Sequence, residues 1–281
     1  MHNLDICGVI VLYYPDDRVV ENIMTYAKSL DKLYIIDNSD QPSSFMITKF
    51  PCETVLLSSG KNKGVAAALN LALEQASNDG YKWMLTMDQD GSFEAHELAQ
   101  LLKRKDTLSL DNILLISPVH KKSFSIQKSD CHYEEVETVM TSGNLIYVQH
   151  AKEIGGYDTR LFIDEVDHEF CFRGLSKGYK VISLSSSYVN HQLGKSYIKN
   201  GKQIRLYPPE RLYYMARNYL FLRKTYHTDH SNFFKNRTQF LLKFFYQHLR
   251  FSPERSQCLL MLLKGWYDHK FNHFGSIDDR K

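Results

Sequence analysis

The sequence predicts an α/β protein with a mostly parallel central sheet, followed by a C-terminal helical extension. Three observations support this. Residues 1–207 alternate short apolar runs with helical spacing, the pattern of βαβ units. From about Pro208 onward, apolar and aromatic residues recur every three or four positions. Charge divides near the same place: residues 200–281 hold 15 Lys and Arg against 6 Asp and Glu, a net +9, leaving −6 on residues 1–199 and +3 overall.

Residues 6–13 (ICGVIVLY) form a near-continuous apolar run, as expected of a strand covered on both faces. Residues 17–30 carry helical spacing at Val20, Ile23, Met24 and Ala27. Strands follow at 33–36, ending in Asp37-Asn38-Ser39, and at 54–57, followed by the loop 58–64. The Ala- and Leu-rich stretch 65–76 is a helix, and 83–87 is a fourth strand ending in Asp88-Gln89-Asp90. A helix is expected at 96–103, a strand at 113–117, and a polar excursion at 121–137. Residues 139–148 read as a strand interrupted at Ser142-Gly143. Residues 167–176 read as a helix, with Gly178 just past its end where a left-handed cap is favoured. Runs at 181–184 and 188–191 finish the sheet. In the tail, Leu212, Met215, Tyr219 and Leu222 begin a series of two or three amphipathic helices, continued over 233–249 and 258–267.

Composition excludes several classes. With 43% hydrophobic and 24% charged residues, this is no disordered chain or collagen-like repeat. No apolar run exceeds six residues, far short of a bilayer span. No secretory signal opens the chain, and the five cysteines (7, 52, 131, 171, 258) are scattered without a CxxC. A reduced, cytoplasmic protein without a zinc site is expected.

Ligands of parallel α/β sheets bind beyond the carboxyl ends of the strands. Three expected strand ends carry polar groups in chain order: Asp37-Asn38-Ser39, the loop through Asn62 and Gly64, and Asp88-Gln89-Asp90. Asp88 and Asp90 offer hard oxygen ligands suited to Mg²⁺ or Mn²⁺, although a solvated acidic turn has the same sequence. Lys61-Asn62-Lys63-Gly64 precedes a helix, as a phosphate cradle or as an ordinary capped turn. It matches neither a Walker motif nor GxGxxG. The segment 162–173 gathers Asp164, Glu165, Asp167 and Glu169 among aromatics, either as helix-dipole partners or with one carboxylate as a general base. His191 is either a structural histidine or a further metal ligand.

In combination, these pieces resemble the family 2 glycosyltransferases of the GT-A fold, and are most similar to the bacterial rhamnosyltransferase-like branch. The matching runs are VIVLYYP (9–15), IIDNSD (35–40), NKGVAAALN (62–70), LTMDQDGS (85–92), TSGNL (141–145) and IGGY (154–157). LFIDEVDHEFCFR (161–173), GYK (178–180), NHQLG (190–194) and RLYYMARN (211–218) continue it, so that it covers about residues 6–225.

The resemblance implies a GT-A catalytic domain over 1–207, then an amphipathic helical region over 208–281. It implies that Tyr13, Tyr14, Asp37 and Ser39 hold the nucleotide base and that Asn62 and Gly64 face the nucleotide. Asp88 and Asp90 would bind the metal bridging the donor diphosphate, with His191 completing the site. Asp167 would be the catalytic base, followed at the family spacing by Glu169 and Arg173. Val166 stands where many members carry the first acid of a pair, and Asp164 is the rival base. Arg211 and Arg217 would help neutralise the departing diphosphate. The implied reaction is inverting, metal-dependent transfer from a nucleotide sugar, with dTDP-rhamnose favoured, to a saccharide hydroxyl in bacterial surface polysaccharide or glycoconjugate synthesis. The acceptor would be lipid-linked or protein-linked.

A UDP-hexose transferase is the alternative within that class. A nucleotidyltransferase would ordinarily show a Gly-rich triphosphate loop near the N-terminus, and VIVLYYPDD has none. Nucleic-acid binding is not expected, because the tail's aromatics fall at helical core spacing. The basic tail fits packing on the catalytic domain, a homo-oligomer contact or a peripheral contact at the inner face of the cell membrane.

Overall fold

The computed structural model describes residues 5–41, 50–107, 111–120, 133–191, 196–199 and 202–280, without side chains at 191, 196–199, 202–205 and 280. The polar excursion is therefore described only from Tyr133. Residues 192–194 of NHQLG and the side chain of His191 lie outside the described residues.

Strand β1 (Ile6–Leu12) sends alternate side chains to opposite faces, as a pleated strand must. Cys7 and Val9 enter one core; Ile6, Ile10 and Leu12 enter the other. β2 (Lys32–Asp37) and β4 (Trp83–Asp88) divide their residues in the same way. Helices α1 (Arg18–Met24) and α3 (Ala95–Lys105) cover the Ile10 face through Val19, Ile23, Leu98 and Leu101. α2 (Val65–Asn78), α4 (Val148–Glu153) and α5 (Val166–Ser176) cover the Val9 face. The result is three layers, with the apolar runs of the sequence buried on both sides.

Strands β3 (Glu53–Ser58), β2, β1 and β4 pair in that order, all parallel. Beyond β4 the sheet continues through β8 (Asn144–Tyr147), β6 (Ile113–His120), β9 (Lys180–His191) and β5 (Gly91–Phe93). Of these junctions only β6 with β9 is parallel, and β7 (Tyr133–Glu135) adds to β9 antiparallel. The sheet is thus parallel from β3 to β4 and mixed beyond it. Strand direction leaves no mark on an apolar run, so this was not legible in the sequence.

Three elements differ from expectation. The helix over 17–30 breaks into α1 and a 3₁₀ turn at Ala27–Ser29. The strand over 139–148 shortens to β8, because Gly143 (φ +92°) turns back to donate its N–H to Thr86 O at 2.7 Å. The two last runs fuse into one strand, β9. Its register shifts opposite Pro118 and Val119, where proline lacks an N–H for the ladder. The buried Glu97 carboxylate accepts the Tyr188 N–H at that irregularity.

The tail forms a β10–β11 hairpin (Ser196–Lys199, Lys202–Arg205) and then α6 (Pro209–Tyr226), α7 (Ser231–Phe251) and α8 (Arg255–Lys270). Leu212, Tyr219, Phe234, Leu241, Phe244 and Cys258 join the core that contains Val9 and Phe170. Packing on the catalytic domain is therefore realised for the inward faces of these helices. Among the described residues, no helix is long and apolar enough to cross a membrane.

Candidate active site

The chain passes from β1 outward through β2 and β3, then returns to pair β4 on the other side of β1. That reversal opens a crevice at the carboxyl ends of β1 and β4. The register aligns Leu12 with Asp37, Asp37 with Ser58 and Val11 with Asp88, so the polar strand ends meet at one edge.

Tyr13 and Tyr14 are exposed there with their rings edge-to-face, centroids 4.7 Å apart. Gln89 clasps the Tyr13 backbone, accepting its N–H at 2.9 Å and donating to its carbonyl at 3.3 Å. The Tyr13 phenol is pushed up by partial burial and by the charge of Asp40, and it also hydrogen-bonds Asn62. Tyr14 adopts φ +46°, and its N–H donates to the buried Ser39 hydroxyl at 2.9 Å. Ser39 therefore shapes the pocket through Tyr14. Asp37 is buried beside it and accepts the Ser39 N–H at 3.1 Å.

Asn38 joins this edge to the loop before α2. Its Nδ2 donates to Asn62 Oδ1 and its Oδ1 accepts the Lys63 N–H, both at 2.9 Å. Gly64 (φ +82°) abuts the other wall of the crevice, where a Cβ would fall 2.5 Å from Phe162 O. Gly64, just before α2, donates its N–H to Asn62 Oδ1, and Val65 donates to Phe162 O at 2.7 Å. Residues 61–64 thus form a turn pinned to Asn38 and Phe162.

Asp88 and Asp90 are half-buried at the end of β4. The Asp88 N–H donates to the buried Ser142 hydroxyl at 3.1 Å. Gly91 pairs in register with His191, which places the His191 backbone next to the carboxylate turn. No group of three metal-ligating side chains converges among the described residues. Two carboxylates completed by diphosphate and water oxygens are a donor set that fits Mg²⁺ or Mn²⁺.

The acidic segment is neutralised pairwise. Asp164 binds Arg211 through both oxygens, with Nε–Oδ2 at 3.1 Å and Nη2–Oδ1 at 2.5 Å. Glu165, fully buried, binds Arg237 at 2.5 Å and His168 Nδ1 at 2.7 Å. Burial raises the Glu165 pKa, but the charges of His168 and Arg237 outweigh it and hold it near about 2. His168 is raised: burial favours its neutral form, but Asp167 and Glu165 together prevail. Glu169 binds Arg173, which also donates to the carbonyls of Ile154 and Gly156. Asp167, in the first turn of α5, has no arginine partner among the described residues and remains partly exposed. Phe162, at the head of this segment, abuts Gly64 at the crevice wall.

Phe162, Asp164 and Glu165 all have positive φ, near +60 to +67°. Such backbone persists only where its surroundings over-determine it. Asn218 supplies the constraint: its Nδ2 lies 2.8–2.9 Å from the carbonyls of Leu161, Ile163 and Asp164. Arg217 is a correction. Its side chain is wholly buried, and its guanidinium binds the carbonyls of Arg160, Leu161 and Gly275 and the Tyr213 hydroxyl. It braces the acidic loop and cannot reach a diphosphate. Sequence reasoning assigned no role to Asn38, Gln89, Ser142, Arg237 or Asn218, which act by holding backbone or by pairing a buried charge. Four of them lie within the matching runs IIDNSD, LTMDQDGS, TSGNL and RLYYMARN, and Arg237 lies outside all of these.

The sequence profile of Glycosyl transferase family 2 matches residues 17–166, more than half of the chain. The chain is a family 2 glycosyltransferase. Over 245 residues the transferase is 26% identical to "dTDP-rhamnosyl transferase RfbF" of Shigella flexneri, covering 80% of this chain and 82% of that one. Among solved structures it resembles GalNAc-T7 with UDP, GalNAc and Mn²⁺ (TM-score 0.59, 13% identity, 95% of this chain). It spans just over half, 57%, of the GalNAc-T7 chain. It also resembles S. aureus TarS 1–349 in complex with UDP-GlcNAc (TM-score 0.54, 14% identity, 92% of this chain and 80% of that one). These likenesses establish the GT-A-like fold of the transferase, a central mixed sheet with C-terminal helices. Membership in the family replaces the nucleotidyltransferase reading.

Proposed function

We propose that this transferase moves rhamnose from dTDP-rhamnose to a saccharide hydroxyl with inversion, using Asp167 as general base. Residues 1–207 would be the catalytic unit, with residues 208–281 bracing its acidic loop. The observation that carries the assignment is that each of the other three carboxylates of the loop is neutralised by its own arginine, leaving Asp167 to accept a proton. Asp164, the rival, is held by both oxygens in the Arg211 fork. Tyr13, Tyr14 and Asp37 would line the base pocket, with Ser39, Asn62 and Gly64 fixing its walls. Asp88 and Asp90, with His191 as a further ligand, would hold Mg²⁺ or Mn²⁺, which supplies charge stabilisation to the diphosphate. Asp167 would take the acceptor hydroxyl proton as that oxygen attacks the anomeric carbon in line with the leaving nucleoside diphosphate. Arg211, paired with Asp164, would offset the charge developing on the leaving group.

Support for the donor is the 26% identity to a dTDP-rhamnosyl transferase; two structural relatives solved with UDP or UDP-GlcNAc favour a UDP-hexose as the second reading. Both are tested by nucleoside diphosphate release across a panel of nucleotide sugars, for wild type and Asp167→Asn. dTDP-rhamnose should give the highest turnover, and the variant should lose about 10²–10⁴-fold while keeping nucleotide affinity. Preferential turnover of a UDP-hexose would move the donor, and near-normal turnover by the variant would move the base.

A further inference from the structure

Helix α8 has two apolar sides, and only one is used by the fold. Cys258, Met261, Gly265 and Asp268, spaced three and four apart, are buried against α6. The crossing is close: a Cβ on Gly265 would fall 2.6 Å from Tyr213 O, and Asp268 accepts the Tyr213 hydroxyl at 2.8 Å. The opposite stripe holds Leu259, Leu263 and Trp266 at four- and three-residue spacing, flanked by Leu260 and Tyr267. Phe271 lies immediately beyond. These six side chains are 48–56% exposed, a density of large apolar groups that single surface residues do not produce.

The charge along α7 and α8 is mainly basic. Residues 230–271 contain seven Lys and Arg against two acids, Glu254 and Asp268. Asp268 is buried and paired with Lys264, so the exposed stripe carries no carboxylate. Lys270 lies over the Trp266 ring at 5.4 Å and the Phe271 ring at 5.9 Å, an ammonium drawn beside amphipathic aromatics. Leucine with tryptophan, tyrosine and lysine on one helix face is the composition of a helix lying in a lipid–water interface.

We propose that the α8 stripe seats the transferase peripherally on an anionic lipid bilayer, with Leu259, Leu263 and Trp266 entering the headgroup boundary and Lys270 meeting lipid charge. A second copy is a poorer occupant. A two-fold contact sets the stripe against a second copy of itself, which offers Lys270 no carboxylate within the stripe to pair it. An anionic surface supplies that counter-charge. This placement does not depend on the identity of the donor sugar.

The test is co-sedimentation of the full chain with vesicles of phosphatidylcholine alone or with phosphatidylglycerol, at low and high salt. It is run for wild type and for Leu263→Ser/Trp266→Ser, with melting temperature and light scattering in parallel. The expected result is binding at least tenfold stronger to phosphatidylglycerol vesicles, weakened by salt, and at least tenfold weaker for the variant at unchanged melting temperature. Equal binding of both proteins overturns the proposal, as does a wild type that stays in solution. If that soluble wild type is a dimer which the variant dissolves to monomers, the occupant is a second copy.

Discussion

Glu165→Gln isolates the energetics of the acidic loop. The substitution keeps side-chain volume but removes a buried charge shared by Arg237 and His168. A carboxyl held near about 2 in the folded protein, against an ordinary value of 4.5, contributes roughly 3 kcal/mol at neutral pH. Removing one partner of a buried pair costs about 3–5 kcal/mol, so the two routes agree. For a chain of this size, ~3 kcal/mol corresponds to about 6–12 °C in melting temperature. Because the folded pKa is depressed, the contribution is complete above the unfolded value and is lost as pH falls toward about 2. The gap between wild type and variant should therefore shrink to roughly half by pH 3. His168 acts in the opposite window: its pKa is raised, so its contribution is present below about 6.5 and lost as pH rises through the folded value. Adding Arg237→Met to Glu165→Gln removes the stranded guanidinium and should restore much of the loss. Urea and thermal unfolding at pH 7, 5 and 3 would measure all of this. A shift under about 2 °C at pH 7, or a gap that widens toward pH 3, would refute the reasoning.

Arg217→Lys should cost about 3 kcal/mol or more, because an ammonium cannot satisfy the carbonyls of Arg160, Leu161 and Gly275 together. Nucleotide affinity measured on the folded variant should stay within about twofold. A tenfold loss of affinity at unchanged melting temperature would return Arg217 to the donor pocket. Chelation with EDTA should abolish transfer, with Mg²⁺ or Mn²⁺ restoring it. Full activity in EDTA would remove Asp88, Asp90 and His191 as a metal site.

Much of the catalytic half was legible because its signals are local. An apolar run such as 6–12 has two buried faces wherever it sits, and polar residues after consecutive runs mark strand ends. The helix over 166–176 and its following Gly178 (φ +86°) were likewise fixed by neighbours in sequence. Less legible was what depends on partners far along the chain. Asp164, Glu165, Asp167 and Glu169 look alike as letters, and it is Arg211, Arg237 and Arg173 that distinguish them. Arg211 and Arg217 are equally basic in sequence, yet six residues along α6 separate a guanidinium paired with Asp164 from one sealed in the core.

The +9 tail shows the division most clearly. Its helices and their 3.6-residue spacing were determined by the sequence alone, since amphipathic periodicity needs no partner to be read. Which of α8's two sides would be buried was not, because both carry apolar residues at helical spacing. The tertiary structure decided it at Gly265, the residue without a Cβ that lets α8 close onto α6 and so leaves Leu259, Leu263 and Trp266 facing outward.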